Sequence, residues 1–329
     1  MDLSIIIVNW NSAEFTKNCI ASLHSTIRGL SYEIIVLDNA SREDIREPLA
    51  ESFPPVELIA LEHNIGFARA NNVGVEHARG ANILFLNPDT LVLGDAMQAL
   101  VSALRSRPDI GAVGARLLNH DSTLQMSCVQ PLPSIFNQIF GIGYLRRRWP
   151  RLPIFGMQAL FSNEMSEVDV VSGACLMIRR EACEKVGAFS TDYFMYGEEF
   201  DLCSRLKAAG WKVCHVPQAR VIHFEGQSTK KKEEGFVDIM MKESVFRFLR
   251  KFRGGGYALL YRTALLASAV LRMLVLSPLL VMPNGVIDRG AVVRAFRKWS
   301  NIAAWSLALE RLTRQPIVAR PNPNTAVKS

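Results

Sequence analysis

Four apolar runs near the start of the chain each break into small polar residues, and this repeat constrains the fold more than any other feature. Ser4-Ile5-Ile6-Ile7-Val8 ends at Asn9-Trp10-Asn11-Ser12, and the run 32–37 ends at Asp38-Asn39-Ala40-Ser41. The run 56–61 ends near His63-Asn64, and Ile83-Leu84-Phe85-Leu86 ends at Asn87-Pro88-Asp89. Short apolar runs bounded by turn residues read as buried strands. Helical signals lie between them, around residues 14–24 and 66–78. That alternation predicts an α/β fold, a mostly parallel, doubly wound sheet with helices on both faces.

In such sheets ligands bind beyond the carboxyl ends of the strands. Pro88 cannot continue its strand, because its ring removes a donor and fixes φ, so Asp89 is expected at that edge. One polar strand exit is ordinary turn chemistry. Four in succession (Asn9 and Asn11, Asp38 and Asn39, Asn64, Asn87 and Asp89) build a crevice suited to a nucleotide. Asp38 can accept from a ribose hydroxyl or a base N–H. No G-x-G-x-x-G follows the first strand and no G-x-x-x-x-G-K-[ST] occurs anywhere, so another device must neutralise a diphosphate. A divalent cation held by Asp89 would do so.

Residues 111–117 read as a further strand, 119–167 as loops and short helices over the site, and 168–179 as a strand interrupted by Ser172-Gly173-Ala174-Cys175. Small residues inside a strand fit either close ligand approach or tight packing. Leu202, Leu206 and Ala209 recur at helical spacing, which puts Glu198, Glu199 and Asp201 at a helix N-terminus. The helix dipole favours acids there. An aromatic approach, Tyr193-Phe194-Met195-Tyr196, also suits a general base held partly out of water. After a short strand at 212–216, His223 falls at a strand exit, as a candidate metal partner for Asp89.

Hydrophobic residues at 49% and charged residues at 21% exclude a disordered chain. The six cysteines form no C-x-x-C pair, so buried free thiols are expected rather than disulfides or zinc. Met1-Asp2 leads straight into a strand with no basic n-region, and no signal peptide is expected. Charge divides the chain: residues 1–229 hold 20 Lys and Arg against 25 Asp and Glu, whereas 230–329 hold 18 against 6. The first part reads as a soluble α/β domain and the second as a basic, apolar helical extension that meets an anionic surface.

Within that extension residues 263–282 are nearly all apolar, and about 20 such residues span a bilayer. Arg272 at their middle and basic residues on both flanks favour a segment lying on the membrane over one crossing it. Val292, Phe296, Trp299, Ala303 and Leu309 make a stripe typical of an interfacial helix, or of a helix packed on the core or on a second subunit. The tail is too apolar for a phosphate-binding stripe, so nucleic acid is not the expected partner.

Taken in order, these motifs resemble family 2 glycosyltransferases of the GT-A fold, most nearly bacterial rhamnosyltransferases that build cell-surface polysaccharides. The resemblance rests on Ile7-Val8-Asn9-Trp10-Asn11, Leu37-Asp38-Asn39-Ala40-Ser41, Asn64-Ile65-Gly66-Phe67 and Leu86-Asn87-Pro88-Asp89. It continues through Ser172-Gly173-Ala174-Cys175, Tyr196-Gly197-Glu198-Glu199-Phe200-Asp201-Leu202 and His223-Phe224-Glu225-Gly226-Gln227-Ser228. It implies a Rossmann-like sheet, a nucleotide-sugar donor and a lipid-linked saccharide acceptor. Asp38 would contact the base, Asn9 and Asn64 would lie along the nucleotide, and Asn87 and Asp89 would stand in the D-x-D metal motif. His223 would complete a site for Mg²⁺ or Mn²⁺, and Glu199 would be the base that activates the acceptor hydroxyl. Gly173, Ala174 and Glu198 would lie on the acceptor side. The enzyme would work at the cytoplasmic face of the inner membrane, peripheral or monotopic, with contact through residues 246–312, and a homo-oligomer stays open. The same fold with another donor (a hexose, N-acetylhexosamine or galactofuranose) stays open, and Asn87 in place of the first aspartate, with Glu199 where many relatives carry aspartate, leaves open a catalytically silent nucleotide-sugar-binding protein.

Overall fold

A computed structural model describes residues 1–46, 49, 56–139, 148–149, 157–224, 234–281 and 288–308. The four apolar runs are strands β1 (Leu3–Asn9), β2 (Tyr32–Asp38), β3 (Val56–Ala60) and β4 (Asn82–Leu86). Helix α1 (Ala13–Thr26) follows β1, and α2 (Phe67–His77) follows β3. The chain winds β1, β2 and β3 outward, then returns to place β4 on the other side of β1, all four parallel. The order therefore reverses between β1 and β4. That topological switch point is where a parallel sheet opens a crevice at its carboxyl edge. β1 and β4 are buried along their whole length, which explains their unbroken apolar sequence.

Beyond β4 the chain departs from a simple βα repeat. Strand β5 (Thr90–Leu93) begins immediately after Asp89, so Asp89 sits in a tight link between two strands rather than in a turn leading out of the sheet. Helix α3 (Ala96–Ser106) leads to β6 (Ile110–Leu118). The irregular region holds β7 (Val129–Gln130), α4 (Ile135–Ile139), a 3₁₀ turn at Gln158–Phe161 and β8 (Ser166–Glu167).

The strand expected over 168–179 is two strands, β9 (Val170–Val171) and β10 (Cys175–Arg179), parted by a turn at Ser172–Ala174. Its small residues let the chain fold back, and Asn87 donates its backbone N–H to the Ala174 carbonyl at 2.9 Å. β10 runs antiparallel between β4 and β6, which makes the sheet mixed. Helices α5 (Arg180–Val186) and α6 (Glu198–Ala208) precede β11 (Lys212–His223). β11 is longer than the expected segment 212–216. Pro217 does not end it, because the register with β6 shifts between Val216 and Arg220, and a bulge accommodates a residue with no N–H. The full sheet order is β3-β2-β1-β4-β10-β6-β11-β5, with β8 on β11.

The basic extension forms α7 (Glu234–Arg253), α8 (Gly255–Leu276) and α9 (Arg289–Ser306), with a 3₁₀ turn over Ser277–Val281. Gly254 permits the sharp α7–α8 junction with φ at +89°. The three helices share a small core that includes Phe248, Leu249, Tyr261, Leu265, Ile302 and Trp305. Of the stripe read from sequence, Ala303 is buried, and Val292, Phe296 and Trp299 are half-buried, while Leu309 lies outside the described residues. An apolar stripe looks the same whether it meets lipid or protein, and the half occupied by Trp299 and Ala303 meets protein. The exposed apolar face belongs to α8 instead, at Leu259, Leu260, Val270, Leu271, Leu274 and Val275. The segment 255–280 is the one described helix long and apolar enough to cross a membrane.

Candidate active site

The switch point opens into a cavity of about 620 Å³, a volume typical of ligand pockets. Its lining includes Asn39, Asn64, Asn87, Asp89 and His223 along the sheet edge, together with Gly173, Ala174, Glu198 and Glu199. Val237, Met241, Ser244 and Val245 of α7 cover it, so the extension completes the cavity.

The nucleotide wall is held by amide side chains. Asn39 Oδ1 accepts from the Ile65 N–H at 2.9 Å, and its Nδ2 donates to Asn64 Oδ1 at 3.2 Å. Asn64 Oδ1 also caps the Gly66 N–H at 3.0 Å. Gly66 has φ of +86°, and a Cβ there would lie 2.7 Å from the Phe194 carbonyl oxygen, so close backbone contact as well as conformation selects glycine. Asp38 stands on the same edge, half-buried. Asn9 is placed differently from the expectation that it lies along the nucleotide. It is fully buried, its Nδ2 donates to Asp38 Oδ1 at 2.9 Å and Ser41 Oγ at 3.0 Å, and its Oδ1 accepts from Ser12 and Thr16. With both ends of its amide occupied, Asn9 orients Asp38 from behind.

Asp89 and His223 do come together. β11 runs antiparallel to β5, which sets His223 opposite Thr90, and Phe224 N–H closes onto the Asp89 carbonyl at 3.0 Å. His223 Nε2 lies 3.5 Å from Asp89 Oδ1 and 3.3 Å from Asn87 Nδ2. Its Nδ1 faces Gln125 Oε1 at 2.9 Å. Gln125 Nε2 is already committed to the His223 carbonyl and Asn119 Oδ1, both at 3.2 Å, so the network assigns the imidazole proton to Nδ1. Nε2 is then a lone pair that accepts from Asn87 and also faces a carboxylate oxygen.

Two lone pairs at that separation form a donor set for a cation, and a carbonyl-held Nδ1–H is the usual outer support of a metal-ligating histidine. Among the described residues no group of three His, Cys, Asp or Glu gathers anywhere. Asp89 and His223 could therefore supply two ligands to a cation, an incomplete set that would fit one shared with a bound diphosphate. Gln125 was not singled out from sequence, where it is a lone polar residue in an irregular stretch. Gln125→Leu is expected to weaken divalent-metal binding about 10–100-fold, as loss of such a partner does; calorimetric titration of Mn²⁺ in the presence of a nucleoside diphosphate measures it.

The acidic wall is the first turn of α6. Gly197, with φ of +90°, turns the chain into the helix. Glu198 is nearly fully buried, and its Oε2 has no hydrogen-bond partner. Burial, then the charge of Glu199, drives its pKa well above the usual 4.5. Burial also raises Glu199, against the pull of the Gly197 N–H, which donates to its Oε2 at 3.1 Å. A carboxylate held above its usual pKa is suited to general-base work near neutral pH.

Asp201 does not share that surface. It is fully buried and takes Arg205 at 2.5 Å, Lys251 of α7 at 2.6 Å and the Tyr193 hydroxyl at 3.3 Å. This cluster ties the extension to the helix that presents both glutamates. Removing one partner from a buried ion pair leaves the other charges uncompensated. Asp201→Asn should cost about 3 kcal/mol, the lower end of the range for buried pairs because Lys251 and Arg205 remain partly hydrated. Urea unfolding of the two proteins tests this.

The six thiols are free and buried, as expected for a reducing compartment. Cys19 lies behind the metal edge, 3.3 Å from Thr90 Oγ1, with its pKa pushed up to about 12 by burial. It has no role as a nucleophile.

Comparison with known proteins identifies the family. Residues 4–187 match the family model for Glycosyl transferase family 2, and 152–309 match that for Glycosyl transferase family group 2. The chain is 30% identical over 284 residues to an N-acetylglucosaminyl-diphospho-decaprenol L-rhamnosyltransferase of Mycobacterium tuberculosis, covering 82% of this chain and 91% of that protein. It is 26% identical to the rhamnosyltransferase WbbL of Escherichia coli, over 67% of this chain and 82% of that one. It is 29% identical to the hexosyltransferase Agl10 of Haloferax volcanii, over 68% and 67%. The fold superposes on a Pyrobaculum calidifontis mannosyltransferase in complex with GDP-Man and Mn²⁺ with a TM-score of 0.56 at 17% identity, covering 95% of this chain and 88% of that one. Together with the cavity at the β1–β4 switch point, these matches show that the chain belongs to glycosyl transferase family 2 and is a rhamnosyltransferase-like glycosyltransferase of the GT-A fold.

Proposed function

We propose that the protein transfers a sugar, rhamnose from dTDP-rhamnose, to a saccharide carried on a lipid diphosphate, with inversion at the anomeric carbon. The observation that carries this reading is one cavity lined both by Asp89 and His223 of the sheet edge and by Glu198 and Glu199 of the α6 N-terminus. That arrangement suits in-line displacement, with the departing diphosphate and the attacking hydroxyl on opposite sides of the sugar. The sugar follows the Mycobacterium and Escherichia relatives, and the lipid-diphosphate acceptor follows the Mycobacterium one.

Asp89 and His223 would hold Mg²⁺ or Mn²⁺, whose chemistry is to offset charge on the leaving diphosphate. Asp38, steadied by Asn9, accepts from the base or ribose, while Asn39 and Asn64 shape the nucleotide side. Glu199 takes the proton of the acceptor hydroxyl. Gly173 leaves room in front of it, since a Cβ there would meet only Glu199 Cβ at 4.0 Å. Burial and the charge of Glu199 favour the protonated form of Glu198, which would let it donate to an acceptor oxygen.

The exposed α8 face, flanked by exposed Arg250, Arg253 and Arg289, supports attachment to the anionic cytoplasmic leaflet, peripheral or monotopic. A panel of nucleotide sugars with Mg²⁺ and Mn²⁺, using membrane lipid extract as acceptor, tests the reading. Transfer from dTDP-rhamnose is expected. Transfer from a hexose donor alone would favour the second reading, a hexosyltransferase of the same fold, which the likeness to Agl10 supports.

A further inference from the structure

Three cations meet where α7, α8 and α9 pack against α4. Lys242 of α7 is half-buried, and its Nζ donates to Gln138 Oε1 at 3.3 Å. Arg272 of α8 lays its guanidinium 4.1 Å from the Trp299 ring centroid and donates to the Ile139 carbonyl at 3.0 Å. Lys298 of α9 pairs with Asp238 of α7 at 2.7 Å. Among the described residues Asp238 is the one carboxylate paired into the group. Lys242 reports the imbalance: burial first, then Lys298 and Arg272, lower its pKa to about 8, and Asp238 relieves only part. Half-buried excess positive charge is costly unless an anion joins it.

The position of the cluster identifies the anion. Asp238 and Lys242 are the chain neighbours of Val237 and Met241, which line the catalytic cavity, so the cluster borders that cavity through α7. On the other side, Arg272 lies on the helix whose Leu271, Leu274 and Val275 are exposed. A ligand spanning these places has a saccharide at the cavity, two phosphates at the cluster and an apolar chain along α8.

We propose that Lys242, Arg272 and Lys298 bind the diphosphate of the lipid-linked acceptor, with α8 carrying the start of its isoprenoid chain. The inference rests on the lipid-linked acceptor of the proposed function, but its test needs neither donor nor turnover. Farnesyl diphosphate in detergent micelles is titrated by calorimetry into the full chain, with EDTA present to exclude metal-assisted binding beside Asp89. Lys242→Gln and the more exposed Lys298→Gln should each weaken binding about tenfold, the loss of one charge-assisted hydrogen bond. Asp238→Asn should tighten it, because a competing carboxylate is gone.

Weakening by Asp238→Asn would mean a merely structural cluster and would overturn the proposal. So would farnesol binding as tightly as the diphosphate, or phosphatidylglycerol vesicles displacing the probe at equal phosphate, which would assign the cluster to bulk headgroups. A chain that binds farnesyl diphosphate through these residues yet transfers no sugar contradicts the proposed function and leaves the site standing.

Discussion

Glu199→Gln is expected to lower kcat about 10²–10⁴-fold, the contribution of a positioned general base, while the affinity for the nucleotide donor stays within about twofold. Glutamine keeps the shape of the side chain and its contact with the Gly197 N–H region, but it cannot take a proton. The wild-type profile should rise with pH through the elevated pKa of Glu199, because only the ionised form accepts the acceptor proton.

Stability should run the other way. A carboxyl group whose pKa is raised on folding contributes fully below its unfolded value, near 4.5, and that contribution is lost as pH rises through the folded value. Activity and stability therefore have opposed pH slopes from the same pair of residues. Pre-steady-state rates and urea midpoints across pH 5 to 9 measure both. Retained turnover in Glu199→Gln would remove it as the base and leave Glu198 as the remaining acid on that wall.

Asp89→Ala has the second large effect, on binding rather than on proton transfer. It removes one of the two proposed metal ligands, which face each other at 3.5 Å. Metal-dependent affinity for the nucleotide sugar should fall about 100-fold or more, by analogy with losing a charge-assisted contact on each side of the ion. Affinity measured in EDTA should hardly change. Equal loss with and without the metal would mean that Asp89 contacts the nucleotide directly.

Much of this site was readable from residue order, for a physical reason. Strand exits at a parallel sheet edge are local events, and Asn9-Trp10-Asn11, Asp38-Asn39, Asn64 and Asn87-Pro88-Asp89 each announce a strand, a stop and a polar group. His223 was legible for the same reason, at the end of β11. What escaped depends on pairings the chain makes at long range. Gln125 reaches His223 across 98 residues, and Lys251 reaches Asp201 across 50. Asn9 carries the residue type of a ligand contact, and only its full burial shows that it serves Asp38 instead. The orientation of α9 was also undecided, since Trp299 and Ala303 suit either lipid or the face of α8. The direct continuation of β4 through Asp89 into β5 was hidden because Pro88 reads as a terminator, although here it occupies a tight link inside the same sheet.

In the proposed mechanism the base and the diphosphate-holding residues act from opposite faces of the donor sugar. The anomeric configuration of the product, read by NMR after transfer from dTDP-rhamnose to a lipid-diphosphate-linked saccharide, tests it most directly. The account predicts a product with the configuration opposite to that of the donor. A product with retained configuration would contradict it.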